Sequence, residues 1–241
     1  MNVVGKISKF YESQSIVLVK KTRNKGLGRM WGYRAKGLAG VSTASIGNDE
    51  VILFNKLCSI SKAKVVFTIG HGFGLSSIAF AEGNSATCLS IDNWSHNQQP
   101  ELGFPLAEKL MATYPNIAVY SGLSPQNTSA ALESIKQTKM DIVFIDGDHS
   151  DAACLADFLG VLPYIDQSSI VLFHNANATQ QAINEIWSKN GRAIFTDNHM
   201  LFTWGPTQVM YNREVNLEIH EHLRDNGYLW ENWRKWLTHI N

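Results

Sequence analysis

KVVFTIGHGFGLSSIAFAEG, residues 64–83, changes character twice within a short span. KVVFTIG (64–70) is an apolar run rich in β-branched residues, the composition of a strand buried on both faces. Glycines follow at 70, 72 and 74, and LSSIAFAEG then reads as a helix. A strand that passes through a glycine turn into a helix is the opening unit of an α/β domain.

The alternation continues on both sides. Asn48 or Asp49 is placed to cap a helix through Glu50–Ser59. Further strands are expected at TCLSID (87–92), NIAVYSG (116–122), DIVFID (141–146) and SSIVLFHN (168–175). Helices are expected at 101–115, 124–138, 150–165 and 178–191, the last closed by Gly191. RAIFTDN and HMLFTWG read as an antiparallel pair. The expected fold is α/β: a doubly wound, Rossmann-like, mostly parallel sheet with a C-terminal antiparallel hairpin. Ligands in such sheets bind beyond the carboxyl ends of the strands. Gly70–Gly74, Asp92, Ser121–Gly122, Asp146–His149 and His174–Asn175 all fall there.

Bulk properties fit one large α/β domain. Of 241 residues, 44% are hydrophobic and 17% charged, and the formal net charge is zero, so no global field favours nucleic acid or a membrane surface. Cys58, Cys88 and Cys154 form no CxxC pattern, which argues against a disulfide framework or a cysteine zinc site and for reduced thiols in the cytoplasm. No apolar run reaches the roughly 18 residues of a membrane span. MNVVGKISKF lacks the apolar segment of a secretory leader, so none is expected.

The glycines narrow the function. A backbone without Cβ atoms turns sharply and approaches a ligand closely, and helix N-terminal amides favour negative groups. The dinucleotide pattern G-x-G-x-x-G begun at Gly70 would need glycine at Leu75, and no Walker lysine follows. G-x-G-x-G after the first strand resembles instead the first motif of class I S-adenosylmethionine-dependent methyltransferases. The resemblance implies that Thr68, Gly70, His71, Gly72 and Gly74 border that cofactor. Asp92 matches the acid that takes its ribose hydroxyls. The family more often has Glu or Asp where this chain has Thr68. VYSGLS (119–124) resembles the third-strand motif bordering the adenine, which points to Ser121 and Gly122; Ser124 is either a further contact or a helix cap.

DIVFIDGDHS (141–150) is similar to the fourth-strand motif of macrocin-type, metal-dependent small-molecule O-methyltransferases. That resemblance, over about 46–205, implies a divalent ion on Asp146, His174 and Asn175, with His149 as general base. Asp146 is also expected to border the cofactor, and Asp148 is a further metal ligand, a cofactor contact or a cap for the next helix. The pair His174–Asn175 departs from the carboxylate-bearing pair of the family. Magnesium prefers oxygen donors, so an imidazole shifts the expectation towards manganese, iron or zinc, or to no metal. An ion at a hydroxyl lowers its pKa, and an imidazole can take the proton near neutral pH.

Three segments are expected. Residues 1–45 form a basic arm or substrate lid, in which Trp31, Tyr33, Ser42 and Thr43 are candidate substrate contacts and the excess of Lys and Arg suits an anionic substrate. Residues 46–208 form the cofactor-binding domain. Residues 209–241 form a helical extension whose Trp230, Trp233 and Trp236 cover the core or a partner in a homodimer. His220 and His222, two apart, share no helix face and are not read as a metal site. The expected activity is transfer of a methyl group to a hydroxyl of a small molecule, such as a sugar or natural product. Metal-free N- or O-methyl transfer and a non-catalytic binding protein are the alternatives.

Overall fold

The computed structural model describes residues 3–13, 17–25, 28–36, 46–72, 74–93, 100–195, 199–204 and 206–226. Helix α1 (Val3–Ser13) is followed by strands β1 (Val17–Lys25) and β2 (Gly28–Lys36), then α2 (Asn48–Ser61). The alternating part comprises β3 (Val65–Ile69), α3 (Leu75–Ala81), β4 (Thr87–Asp92), α4 (Pro100–Met111), β5 (Ile117–Ser121), α5 (Thr128–Ser134), β6 (Ile142–Ile145), α6 (Asp151–Val161), β7 (Ile170–Phe173) and α7 (Gln180–Ile186). Helical turn α8 (Arg192–Phe195), strands β8 (His199–Trp204) and β9 (Thr207–Asn212), and α9 (Leu217–Asp225) complete the described chain.

The large sheet has seven strands in the order β5-β4-β3-β6-β7-β9-β8. The pairs from β5 to β7 are parallel, while β9 runs antiparallel to both β7 and β8. Every residue of β3, β6 and β7 is buried, as continuous apolar strands require when helices cover both faces. Period-two alternation divides them. Val66, Phe144 and Leu172 join α2, α3 and α9 in one core, where Phe54 stacks on Phe80 with centroids 4.8 Å apart. Phe67, Val143 and Phe173 join α6 and α7 in the other. The chain reverses its direction of travel across the sheet between β3 and β6, so the crevice for a ligand opens there.

Several local expectations are corrected. Within the expected basic arm the described residues form regular elements: α1 lays Phe10 against the first core, its Lys6 pairs with Glu82, and β1 and β2 form an antiparallel hairpin. The basic composition of that hairpin hid its strand character. The C-terminal pair is β8 with β9, not RAIFTDN with HMLFTWG. A short apolar run does not distinguish helix from strand, and Phe195 is buried at the end of a helical turn; its carbonyl accepts the Asn212 side-chain amide at 2.6 Å. Strand β9 passes through residue 208, so the sheet continues beyond the boundary expected there. Gly47, not Asn48 or Asp49, caps α2. Helix α5 starts at Thr128, so Ser124 does not cap it. Ser42, Thr43, Trp230, Trp233 and Trp236 lie outside the described residues, and among the described residues no helix is long and apolar enough to cross a membrane.

Candidate active site

The parallel ladder places the strand-end residues. Beyond the strands, the Gly70 amide donates to Ile91, Asp146 to Ile69, His174 to Ile145 and Gly122 to Asp92, at 2.9–3.1 Å. Each polar tip is therefore held by backbone, and all of them share one edge. Gly70 and Asp146 flank the switch point. A Cβ on Gly70 would lie 2.1 Å from the Asp146 carbonyl oxygen, and its φ is +77°, so only glycine lets the two strand ends adjoin so closely.

The glycine turn is built around Asp92. Its Oδ2 accepts the backbone N–H groups of His71 and Gly72, both at 3.1 Å. Gly72 has φ +49° and open space where a Cβ would be, the cradle a close ligand needs. Gly74 has φ +82° and starts α3. His71 is buried, and burial pulls its pKa down to about 4, against the opposing Asp92 charge, so the ring is neutral at pH 7. Thr68 is wholly buried. Its hydroxyl shares hydrogen bonds with Ser90 (2.7 Å) and Ser77 (3.1 Å), so it supports the turn from beneath and exposes no surface to a ligand. Ser121 is exposed and Gly122 half-buried at the end of β5.

Asp146, His149 and His174 form one cluster, with ligating atoms within 4.8 Å of one another. Asp146 Oδ1 meets His174 Nδ1 at 2.6 Å and His149 Nε2 at 3.1 Å. The Asn175 side-chain amide lies 3.0 Å from His149 Nε2, and Asn175 adopts φ +48°, an uncommon conformation for a non-glycine residue. Asp148 serves the local backbone, because its Oδ1 accepts the Ser150 N–H at 2.8 Å, while Ser150 caps α6.

Glu50 completes the cluster from α2. It lies outside the strand-end motifs and was not among the expected site residues; its one sequence signal is a carboxylate three residues after a helix-capping Gly47. The buried carboxylate accepts the Gly47 N–H at 2.8 Å and the Thr207 hydroxyl at 2.5 Å, and its Oε1 is 3.5 Å from His174 Nε2. His174 is thus wedged between two carboxylates. Burial favours its neutral form, but Asp146 and Glu50 outweigh burial and push its pKa up to about 10. Burial likewise works against the Asp146 charge, yet His174 and His149 hold its pKa below the usual carboxylate range.

Asp146 and His174 offer one carboxylate and one imidazole, with a second imidazole, His149, within reach. Such donors could hold manganese, iron or zinc better than magnesium. A ligating histidine characteristically directs its second ring nitrogen to a carboxylate, as His174 does to Glu50.

Residues 67–176 match the profile of a family described as a methyltransferase domain. The O-methyltransferase TomG from Streptomyces achromogenes, solved with S-adenosylmethionine, superposes with a TM-score of 0.58 at 12% identity, covering 88% of this chain and 90% of its own. The chain has the class I methyltransferase fold. An O-methyltransferase from Bacillus cereus, solved with S-adenosylhomocysteine, gives a TM-score of 0.53 at 15% identity over 69% of this chain and 81% of its own. An uncharacterized protein, y4gI, of Sinorhizobium fredii is 26% identical over 128 residues. That match spans 51% of this chain but 14% of the relative's length. In this methyltransferase fold the strand-end cluster and the glycine turn occupy the ligand-binding edge.

Proposed function

We propose that this chain is an S-adenosylmethionine-dependent O-methyltransferase acting on a hydroxyl of a small molecule. One observation carries the reading: the glycine turn with its Asp92 and the cluster at Asp146 adjoin across the missing Cβ of Gly70. A methyl donor and a proton acceptor must adjoin in this way, because much of the rate of such a transfer comes from alignment.

The cofactor would supply an electrophilic methyl group on a sulfonium. Gly70, Gly72 and Gly74 present backbone to it, and Asp92 accepts hydrogen bonds from its ribose. His71, Ser121, Gly122 and Asp148 stand beside or near that edge. A divalent ion held by Asp146, His174 and Asn175 would lower the pKa of the substrate hydroxyl. His149 accepts the proton. Its side chain is 46% exposed and so reaches a ligand, and Asp146 orients the ring through Nε2. The basic residues among 20–36 would favour an anionic substrate, and a sugar or natural-product hydroxyl agrees with the resemblance to macrocin-type enzymes.

A second reading has its own observation. His174 between two carboxylates carries a positive charge itself, so the same fold can act without metal, on oxygen or nitrogen. Calorimetric titration with S-adenosylmethionine, with and without manganese, tests both. Micromolar binding by the native chain, weakened at least 100-fold in Asp92→Ala, is the expected result. No binding in any condition would overturn the enzyme reading. Methyl transfer that survives exhaustive chelation would select the metal-free one.

A further inference from the structure

Glu50 is a carboxylate with 4% exposure at the start of α2. Its neutral partners, the Gly47 amide and the Thr207 hydroxyl, satisfy hydrogen bonds but do not compensate a buried charge. The imidazole that reaches it is that of His174, whose Nε2 stands 3.5 Å from Oε1, while Nδ1 of the same ring meets Asp146 at 2.6 Å. The ring also packs edge-on against Phe144, with centroids 5.8 Å apart. Imidazole can point either nitrogen at a partner, and which one bears hydrogen is set by what the other meets. Helix α2 and strand β9 therefore act on the site through one acid.

We infer that Glu50 is a positioning residue: its carboxylate faces Nε2 of His174 across 3.5 Å, favours hydrogen on that nitrogen and thereby turns Nδ1 towards Asp146 and the substrate edge. The inference rests on the reading of this cluster as the reactive site. A helix cap at the third position of α2 needs neither burial nor a histidine. A buried carboxylate shared by a cap, a strand hydroxyl and a site imidazole has a second role. Thr207 braces the carboxylate from β9.

The experiment is nitrogen-15 NMR of histidine-labelled, ligand-free protein, with His174→Gln assigning the resonances. In the native chain Nε2 of His174 is expected in the protonated region, with a slowly exchanging proton. In Glu50→Gln, which keeps the size and an oxygen acceptor for Gly47, Nε2 moves to the unprotonated region or exchanges at least 10-fold faster. Thr207→Val is the control for a purely structural role: it removes a bond to the same carboxylate but leaves His174 facing its charge, so the protonated signal remains. Identical His174 signals in native protein and folded Glu50→Gln would overturn the inference. So would loss of the protonated signal in Thr207→Val with retention in Glu50→Gln. Failure of S-adenosylmethionine to bind the native chain would overturn the methyltransferase reading instead, and leaves this measurement intact.

Discussion

At the residue scale, two glycines in the same turn have different duties. Gly70 has no room for a side chain, because a Cβ would strike the Asp146 carbonyl at 2.1 Å; Gly72 opens onto empty space. Gly70→Ala is expected to destabilise the chain by at least about 2 kcal/mol through clash and left-handed strain. Gly72→Ala should cost no more than about 1–2 kcal/mol from strain alone, while cofactor affinity falls. Paired thermal melts and cofactor titrations check the contrast, and equal melting points would contradict it. His149 is a second case, since it stands both beside Asp146 and inside the group of side chains that could hold a metal. As a base it is separable from binding: His149→Gln should keep cofactor and manganese affinity and slow transfer by roughly 100-fold or more. Loss of manganese binding in that variant would make it a ligand instead.

At the element scale, α6 carries an acid that the site does not use. Burial raises the Asp157 pKa to about 6, and the nearby Asp148 charge adds to this. The folded state therefore binds more protons than the unfolded state between about pH 4 and 6, so stability falls as pH rises through that window. Asp157→Asn should remove the penalty. Its advantage over the native chain should be absent near pH 4 and reach on the order of 3 kcal/mol above pH 7, taking roughly 1.4 kcal/mol per pH unit. Denaturant titrations at both pH values measure this; an advantage that does not change with pH would exclude the acid as its source. The supersecondary order of strand, turn and helix was legible because each element buries its own apolar run. Element starts were unequal: Ser150 caps α6 with its side chain, where the sequence places that helix to begin, whereas Gly47 caps α2 through its backbone position alone.

At the scale of the whole molecule, the first core is joined at Phe54. Its ring stacks on Phe80 of α3 and meets Phe144 of β6 edge-on, both at 4.8 Å. It therefore links α2 to the strand that leads into Asp146. Phe54→Ala is expected to lower stability by about 3–5 kcal/mol, read as a shift in the denaturation midpoint. A loss under about 1 kcal/mol would show that the core collapses around the gap. The β1–β2 hairpin was not legible in the sequence because its strands are rich in Lys and Arg, and pairing between neighbours needs no apolar alternation.

By itself the sequence determined the alternating α/β sheet, the glycine turn, and the edge on which Asp92, Asp146, His149, His174 and Asn175 would meet. These follow from local apolar periodicity and from the rule that parallel strands carry their ligands at one end. Tertiary structure alone decided that Thr68 is a buried support and that β9, not the RAIFTDN segment, pairs with β8. It also brought Glu50 to His174, across 124 positions of chain. Such a contact leaves no mark on local periodicity. It arises only when a helix packs over the sheet and a buried carboxylate must find its counter-charge.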